Sequence, residues 1–296
     1  GISLFIAAGV ATQLVIGLIS PLSVGGRVAG GVPGFIFSLL GGNPQIALAY
    51  ILPVITTLIV FLIVIYAQHI KIQIPLSFAT LRGFGRTWDL KLLYTSNIPI
   101  ILTAALIANI QLLGRFGAAV TPDGLTCSLM GCFDQVGNAV SGVVYYLSAP
   151  GGGSYQNSLL QQVFAGVLLP TEVIRALTYT LFLVIGATIF SVFWVKTAGM
   201  GAGTVAKQLD SAGMQIPGYR RDPAVMEGVL NRYIPALSVL GGIAIGLLAA
   251  FADLIGAIGT GTGILLTVMI VYNYYEQLQR EKLDEAHPLV RKIVGE

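Results

Sequence analysis

Six stretches of this chain stay apolar long enough to cross a bilayer, at about 2–20, 47–67, 96–114, 167–195, 233–252 and 257–276. A spanning helix needs ~20 mostly apolar residues, each adding ~1.5 Å of rise. The pattern therefore predicts an all-α, polytopic membrane helical bundle of six helices. The third stretch differs from the rest, because it carries Asn97, Pro99, Thr103, Asn109 and Gln111 before ending at Arg115. Polar groups are expensive in hydrocarbon, so that helix must turn its polar side to protein or to water. Helix–helix hydrogen bonding and the lining of a wet path both satisfy this requirement.

Composition agrees with the pattern. Of 296 residues 55% are hydrophobic and only 10% charged, with a mean hydropathy of +0.83. Ordinary globular chains carry about 25% charged residues, and a soluble surface cannot be covered with so few. The net charge of +3 is too small to imply nucleic acid. The placement of the cations says more than their sum. All but three of the 16 Lys and Arg lie in segments 71–91, 196–232 and 280–292, whereas Arg27, Arg115 and Arg175 lie in or beside the alternate loops. Positive-inside then puts those basic segments and the start of the chain in the cytoplasm. The expected location is a cell membrane, crossed several times, with both ends of this chain inside. The chain opens at Gly1 within an apolar stretch and without an initiator Met, which reads as substantial sequence upstream.

The loops divide by character. Residues 21–46 and 116–166, on the outer side, are rich in Gly and Pro. Cys127 and Cys132 sit in the second of them, and a local disulfide or two free thiols both fit their spacing. The inner connections 71–96 and 197–232 run well past the usual length. They pair arginine with aromatics and turn formers: Arg82-Gly83-Phe84-Gly85-Arg86-Thr87-Trp88 and Pro217-Gly218-Tyr219-Arg220-Arg221. Solvated positive-inside residues and a docking surface for a large anionic partner both explain that pattern. The connection around 252–257 is short enough to force an antiparallel hairpin of the last two helices.

No H-E-x-x-H, G-x-S-x-G or Walker spacing is present, so bond chemistry is not expected, and no cofactor or metal is implied. Glu172 and Asp253 lie near span ends rather than at the midplane, which disfavours ion-coupled transport. The last helix enters through Gly256-Ala257-Ile258-Gly259-Thr260-Gly261-Thr262-Gly263, followed by Leu265, Leu266 and Val268. If it lines a path, the narrow part is greasy.

The strings Tyr94-Thr95-Ser96-Asn97-Ile98-Pro99-Ile100-Ile101, Leu230-Asn231-Arg232-Tyr233-Ile234-Pro235 and Ala252-Asp253-Leu254-Ile255-Gly256-Ala257-Ile258-Gly259-Thr260-Gly261-Thr262-Gly263 are distinctive. Together they resemble the channel subunit of the Sec translocon, the SecY family, and its archaeal members in particular. The likeness implies the last six of ten helices: residues 1–20 close the N-terminal half, 21–46 form an external hinge, 47–278 make the C-terminal half with five spans, and 279–296 are a cytoplasmic tail. It implies a central subunit of a protein-conducting channel, which translocates unfolded secretory polypeptides and releases hydrophobic segments sideways into lipid. Ile2, Ile6, Ile101 and Leu266 fall at positions of the family's aliphatic pore ring, and Asn109 falls at its lateral gate. Arg82, Arg86, Arg220 and Arg221 fall in the loops that dock a ribosome or cytosolic motor, although Thr80 stands where many relatives carry a cation. Implied partners are SecE-type and SecG/Secβ-type small membrane subunits, signal sequences, nascent polypeptides and the lipid bilayer. A secondary transporter of a small solute and a membrane scaffold are the alternatives.

Overall fold

The computed structural model describes residues 2–20, 23–24, 27–28, 30–78, 85–93, 95, 97–121, 124–135, 137–150, 158–215 and 223–294. Helix α1 (Ile2–Ile19) is followed by the two-residue strands β1 (Ser23–Val24) and β2 (Arg27–Val28), helix α2 (Gly31–Leu40) and the long α3 (Pro44–His69). Strands β3 (Lys71–Phe78) and β4 (Gly85–Lys91) lead into α4 (Ile98–Arg115). Strands β5 (Ala119–Val120), β6 (Thr126–Ser128), β7 (Gly131–Phe133) and β8 (Ala139–Gly142) precede the short helices α5 (Val143–Tyr146) and α6 (Leu159–Phe164). The chain closes with α7 (Pro170–Thr197), α8 (Ala202–Ser211), β9 (Met214–Gln215), α9 (Pro223–Leu254) and α10 (Gly261–Val294).

Proline sets several helix starts. Pro44 and Pro170 open α3 and α7, and Pro99 lies in the first turn of α4. There its fixed φ suits the helix, and its missing N–H loses no bond. Among the described residues four helices are long and apolar enough to cross a membrane: Pro44–His69, Ile98–Arg115, Pro170–Thr197 and Ala224–Leu254. In the first predicted stretch, Ala8–Ile19 is a shorter apolar helix. The last stretch is divided: residues 255–260 form a connection with Gly256 and Gly259 at positive φ, and α10 begins only at Gly261. Its apolar run then gives way to Tyr272, Asn273, Tyr274, Tyr275 and Glu276, and the helix continues to Val294 through the expected tail.

The described residues are mostly helical, as expected, and the long loops add short strands to the helical bundle. β3 and β4 make an antiparallel hairpin, with Lys71 opposite Lys91 and Ile74 opposite Trp88. β9 joins its other edge through Ser77↔Gln215 and Phe78↔Met214. The sequence Lys71-Ile72-Gln73-Ile74 alternates with a period of two, which lets one face pack inward. Ile74 and Leu90 accordingly join a second core with Val205 and Leu209 of α8, Val195 of α7 and Leu230 of α9. On the opposite side of the bundle, β5–β8 form a meander whose β6–β7 hairpin sets Cys127 opposite Cys132, and the two are disulfide-bonded.

The main core lies where α3, α4, α7, α9 and α10 meet, around Val64, Ile100, Leu183, Ile245 and Leu265. Pro53 cannot donate inside α3, and its carbonyl accepts from Thr56 (3.0 Å) and Thr57 (2.6 Å). The Thr57 hydroxyl in turn accepts the Ile258 N–H at 2.8 Å, which ties the α9–α10 connection to α3.

Candidate functional site

Helix α10 touches both α1 and α4. Small residues bring α1 close to α10 and to the connection before it. A side chain on Gly263 would begin 3.4 Å from Val10, and one on Gly17 would overlap the Ile258 side chain. Helix α10, which carries Leu266, is therefore a neighbour both of α1, which carries Ile2 and Ile6, and of α4, which carries Ile101. Ile101 and Leu266 are half-buried, flanked by the fully buried Ile100 and Leu265. One turn presents a core residue and a partly open aliphatic side by side, as helical periodicity requires. Ile2 and Ile6 lie on the α1 backbone, and their side chains are outside the description.

The polar residues of α4 separate into distinct roles. Thr103 is buried, donates to the Pro99 carbonyl at 2.8 Å, and sits over Gly186 of α7. Asn97 is buried, and its Oδ1, like Gln68 Nε2, has no hydrogen-bond partner among the described residues. Asn109 is exposed. Gln111 lines a cavity of about 280 Å³ between α4, α7, the outer sheet and the α9–α10 connection. Packing and cavity lining thus both occur on one helix.

Asp253 also borders that cavity. Its carboxylate accepts from the Tyr179 hydroxyl at 2.7 Å and from the Gly261 N–H at 2.6 Å. It joins α7 and α9 to the start of α10, where an anion complements the unpaired N–H groups.

Arg175 has a role that charge counting does not reveal. Its Nε donates to the Ser148 carbonyl (3.1 Å), and Nη2 donates to Ser148 Oγ (2.8 Å) and the Ala149 carbonyl (2.7 Å). Nη1 pairs with Glu172 at 3.3 Å, and the guanidinium lies 4.2 Å from the Tyr145 ring centre. Tyr145 donates to the same carboxylate at 2.5 Å. Burial, then the Glu172 bond and charge, push the Tyr145 phenol above its usual 10.0.

Of the predicted docking arginines, Arg86 lies on β4 opposite Leu76, while Arg82, Arg220 and Arg221 lie outside the described residues. The sheet still links their segments. β9, which leads into 216–222, pairs with the end of β3, which leads into 79–84. At the base of the hairpin Lys71 bonds Asp89 at 2.5 Å, and this bond and charge raise the Lys71 amine above 10.5.

The same architecture occurs in known proteins. A family model for SecY matches residues 1–275. The protein translocase subunit SecY of Methanococcus vannielii is 41% identical over 299 residues, covering 100% of this chain and 61% of that protein. This chain therefore spans less than two thirds of the relative it matches. A solved structure of a protein-conducting channel is 40% identical with a TM-score of 0.75, over 97% of this chain and 60% of the other. Sec61 in the canine ribosome–channel complex from the endoplasmic reticulum is 38% identical with a TM-score of 0.71, over 97% and 60% respectively. With its motifs, fold and nearly full-length alignment in agreement, this chain belongs to the SecY family.

Proposed function

We propose that this chain supplies the larger, C-terminal part of the central subunit of a protein-conducting channel. The observation that carries this reading is that α10, bearing Leu266, touches both α1, bearing Ile2 and Ile6, and α4, bearing Ile101. An aliphatic ring in a narrow aqueous path offers no ligand to an ion, dewets when empty, and yields to a passing peptide. In this reading α1 and α10 complete six spans, with both ends of the chain cytoplasmic. Residues 1–20 end the first half, 21–46 form the hinge, 47–278 form the second half, and 279–296 form the tail.

Asn109, exposed on α4, is the polar member of the lateral gate through which apolar segments leave for lipid. Arg82, Arg86, Arg220 and Arg221 form one docking surface for a ribosome or cytosolic motor, supported by the β3–β9 pairing that joins their segments. The canine relative is described within a ribosome–channel complex. SecE-type and SecG/Secβ-type subunits complete the assembly. The subunit conducts without bond chemistry, and the driving force comes from its partners.

A stalled secretory chain in the full-length protein tests this function. A photocrosslinker at Ile101 or at Leu266 should each capture the translocating segment. Capture at neither position, with translocation intact, overturns the ring assignment. Solute-stimulated flux instead would support the transporter reading.

A further inference from the structure

The start of α10 is fastened from three other helices. Asp253, in the last turn of α9, accepts the Gly261 N–H through Oδ1 at 2.6 Å and the Tyr179 hydroxyl of α7 through Oδ2 at 2.7 Å. Thr57 of α3 accepts the Ile258 N–H at 2.8 Å. A side chain on Gly261 would overlap the Ala249 carbonyl and begin 2.9 Å from the Asp253 nitrogen. Helices α9 and α10 thus meet backbone to backbone, and the carboxylate ties α10 to both α9 and α7. The connection beside it, residues 255–260, has Gly256 and Gly259 at positive φ. Glycine leaves the backbone its widest freedom, so the angle between the two helices rests on bonds from outside the connection.

This junction also seats α1. A side chain on Gly17 would overlap Ile258, and one on Gly263 would begin 3.4 Å from Val10. The numbering falls along α1 as it rises along α10, so the two helices run antiparallel. Ile6 precedes Val10 by one turn and Leu266 follows Gly263 by one turn. At ~1.5 Å per residue these offsets are ~6 Å and ~4.5 Å, which puts positions 6 and 266 at nearly one depth. Leu266 is also within the second turn of the helix that Asp253 caps, so a shift at the junction reaches it directly.

We propose that Asp253 is a positioning residue for the channel. Its two hydrogen bonds set the depth and tilt of α10, hold Leu266 level with position 6 of α1, and so keep the empty path narrow. The inference rests on the conducting role proposed above.

Two measurements on the full-length protein test it: ion conductance in planar lipid bilayers without a translocating chain, and, separately, disulfide crosslinking between cysteines placed at positions 6 and 266. Asp253→Ala should raise the resting conductance several-fold and lower the crosslinking yield of the folded protein. Asp253→Asn keeps an oxygen for the Gly261 N–H and should restore both readings most of the way, a rescue that a general loss of stability does not predict. Tyr179→Phe removes only the α7 bond, should raise conductance above the parent, and carries the test if Asp253→Ala does not fold. Parental conductance and crosslinking in these variants overturn the proposal. Equal leaks in Asp253→Asn and Asp253→Ala overturn it too, as does the absence of a 6–266 crosslink in the parent. Failure of the conducting role shows separately, as no capture of a stalled chain at Ile101 or Leu266.

Discussion

Lys91 on β4 and Glu276 on α10, 185 positions apart, form an ion pair that joins the inner hairpin to the last helix. Lys91 Nζ also lies 5.3 Å from the centre of the Tyr272 ring, whose edge meets His69 at the end of α3. Three elements thus converge on one aromatic.

This pair should behave as a half-exposed bridge. Its side chains are 28% and 31% exposed, so solvent screening limits it to about 0.5–1 kcal/mol. Glu276→Lys should cost about that much in unfolding free energy and speed hydrogen exchange along β3 and β4. The exchange double variant K91E/E276K should recover most of the loss. Equal destabilisation in the single and double variants would show that the charges contribute nothing.

Arg175 is a different case, because its side chain is only 5% exposed. Removing one member of a buried ion pair leaves the other charge and its acceptors unsatisfied, at about 3–5 kcal/mol. Arg175→Leu should therefore lower Tm markedly and expose 143–150 to protease. Arg175→Lys keeps the charge but loses the planar fork, and should fall between the two. If Arg175→Leu retains the parental Tm, the clasp is not structural.

Tyr145 gives this clasp a pH dependence. Burial and the Glu172 carboxylate hold the phenol neutral above 10.0 in the folded protein. The unfolded chain then ionises first, so this contribution to stability is complete below pH 10.0 and declines as pH rises beyond it. Ultraviolet titration should place Tyr145, identified by difference from Tyr145→Phe, above the ordinary tyrosine range. Glu172→Gln should bring it back down. Ionisation of Tyr145 at or below the ordinary value would refute the arrangement.

Much of the scaffold is legible in the sequence because bilayer thickness imposes long apolar runs, and α3, α4, α7 and α9 stand out that way. The first residues after α3 also carry a readable signal: Lys71 to Ile74 alternate polar and apolar and Ile74 joins the second core, yet such a short run suits a loop equally well. Strands β5 to β8 have two to four residues each, too few for any period to stand out. Spacing alone leaves the two cysteines undecided, and the β6–β7 register resolves them. Arg175 has the look of a loop cation because its partners, Ser148 and Ala149, are near only after folding. The ring positions come from resemblance alone, since an aliphatic in an apolar helix carries no local mark.

The α7–α9 seam supplies the sharpest packing test. Ser238, Gly242 and Gly246 recur every four residues and so share one face of α9. A side chain on Gly242 would begin 2.7 Å from the Thr188 Cα, and one on Gly246 would begin 2.7 Å from the Val184 Cα. Both obstacles are backbone, so no rotamer change can relieve them. The Ser191 hydroxyl crosses the same seam to the Ser238 carbonyl at 2.5 Å. Between membrane helices such close approach supplies packing that a hydrophobic driving force does not. Gly242→Ala should therefore destabilise by about 1–3 kcal/mol through overpacking, and Gly242→Leu by more. Gly228→Ala, on the same helix with nothing within 4 Å, should stabilise by up to about 1 kcal/mol through helix propensity. Tm values in lipid nanodiscs separate the two outcomes. Equal gains at positions 228 and 242 would mean that the helices do not meet backbone to backbone.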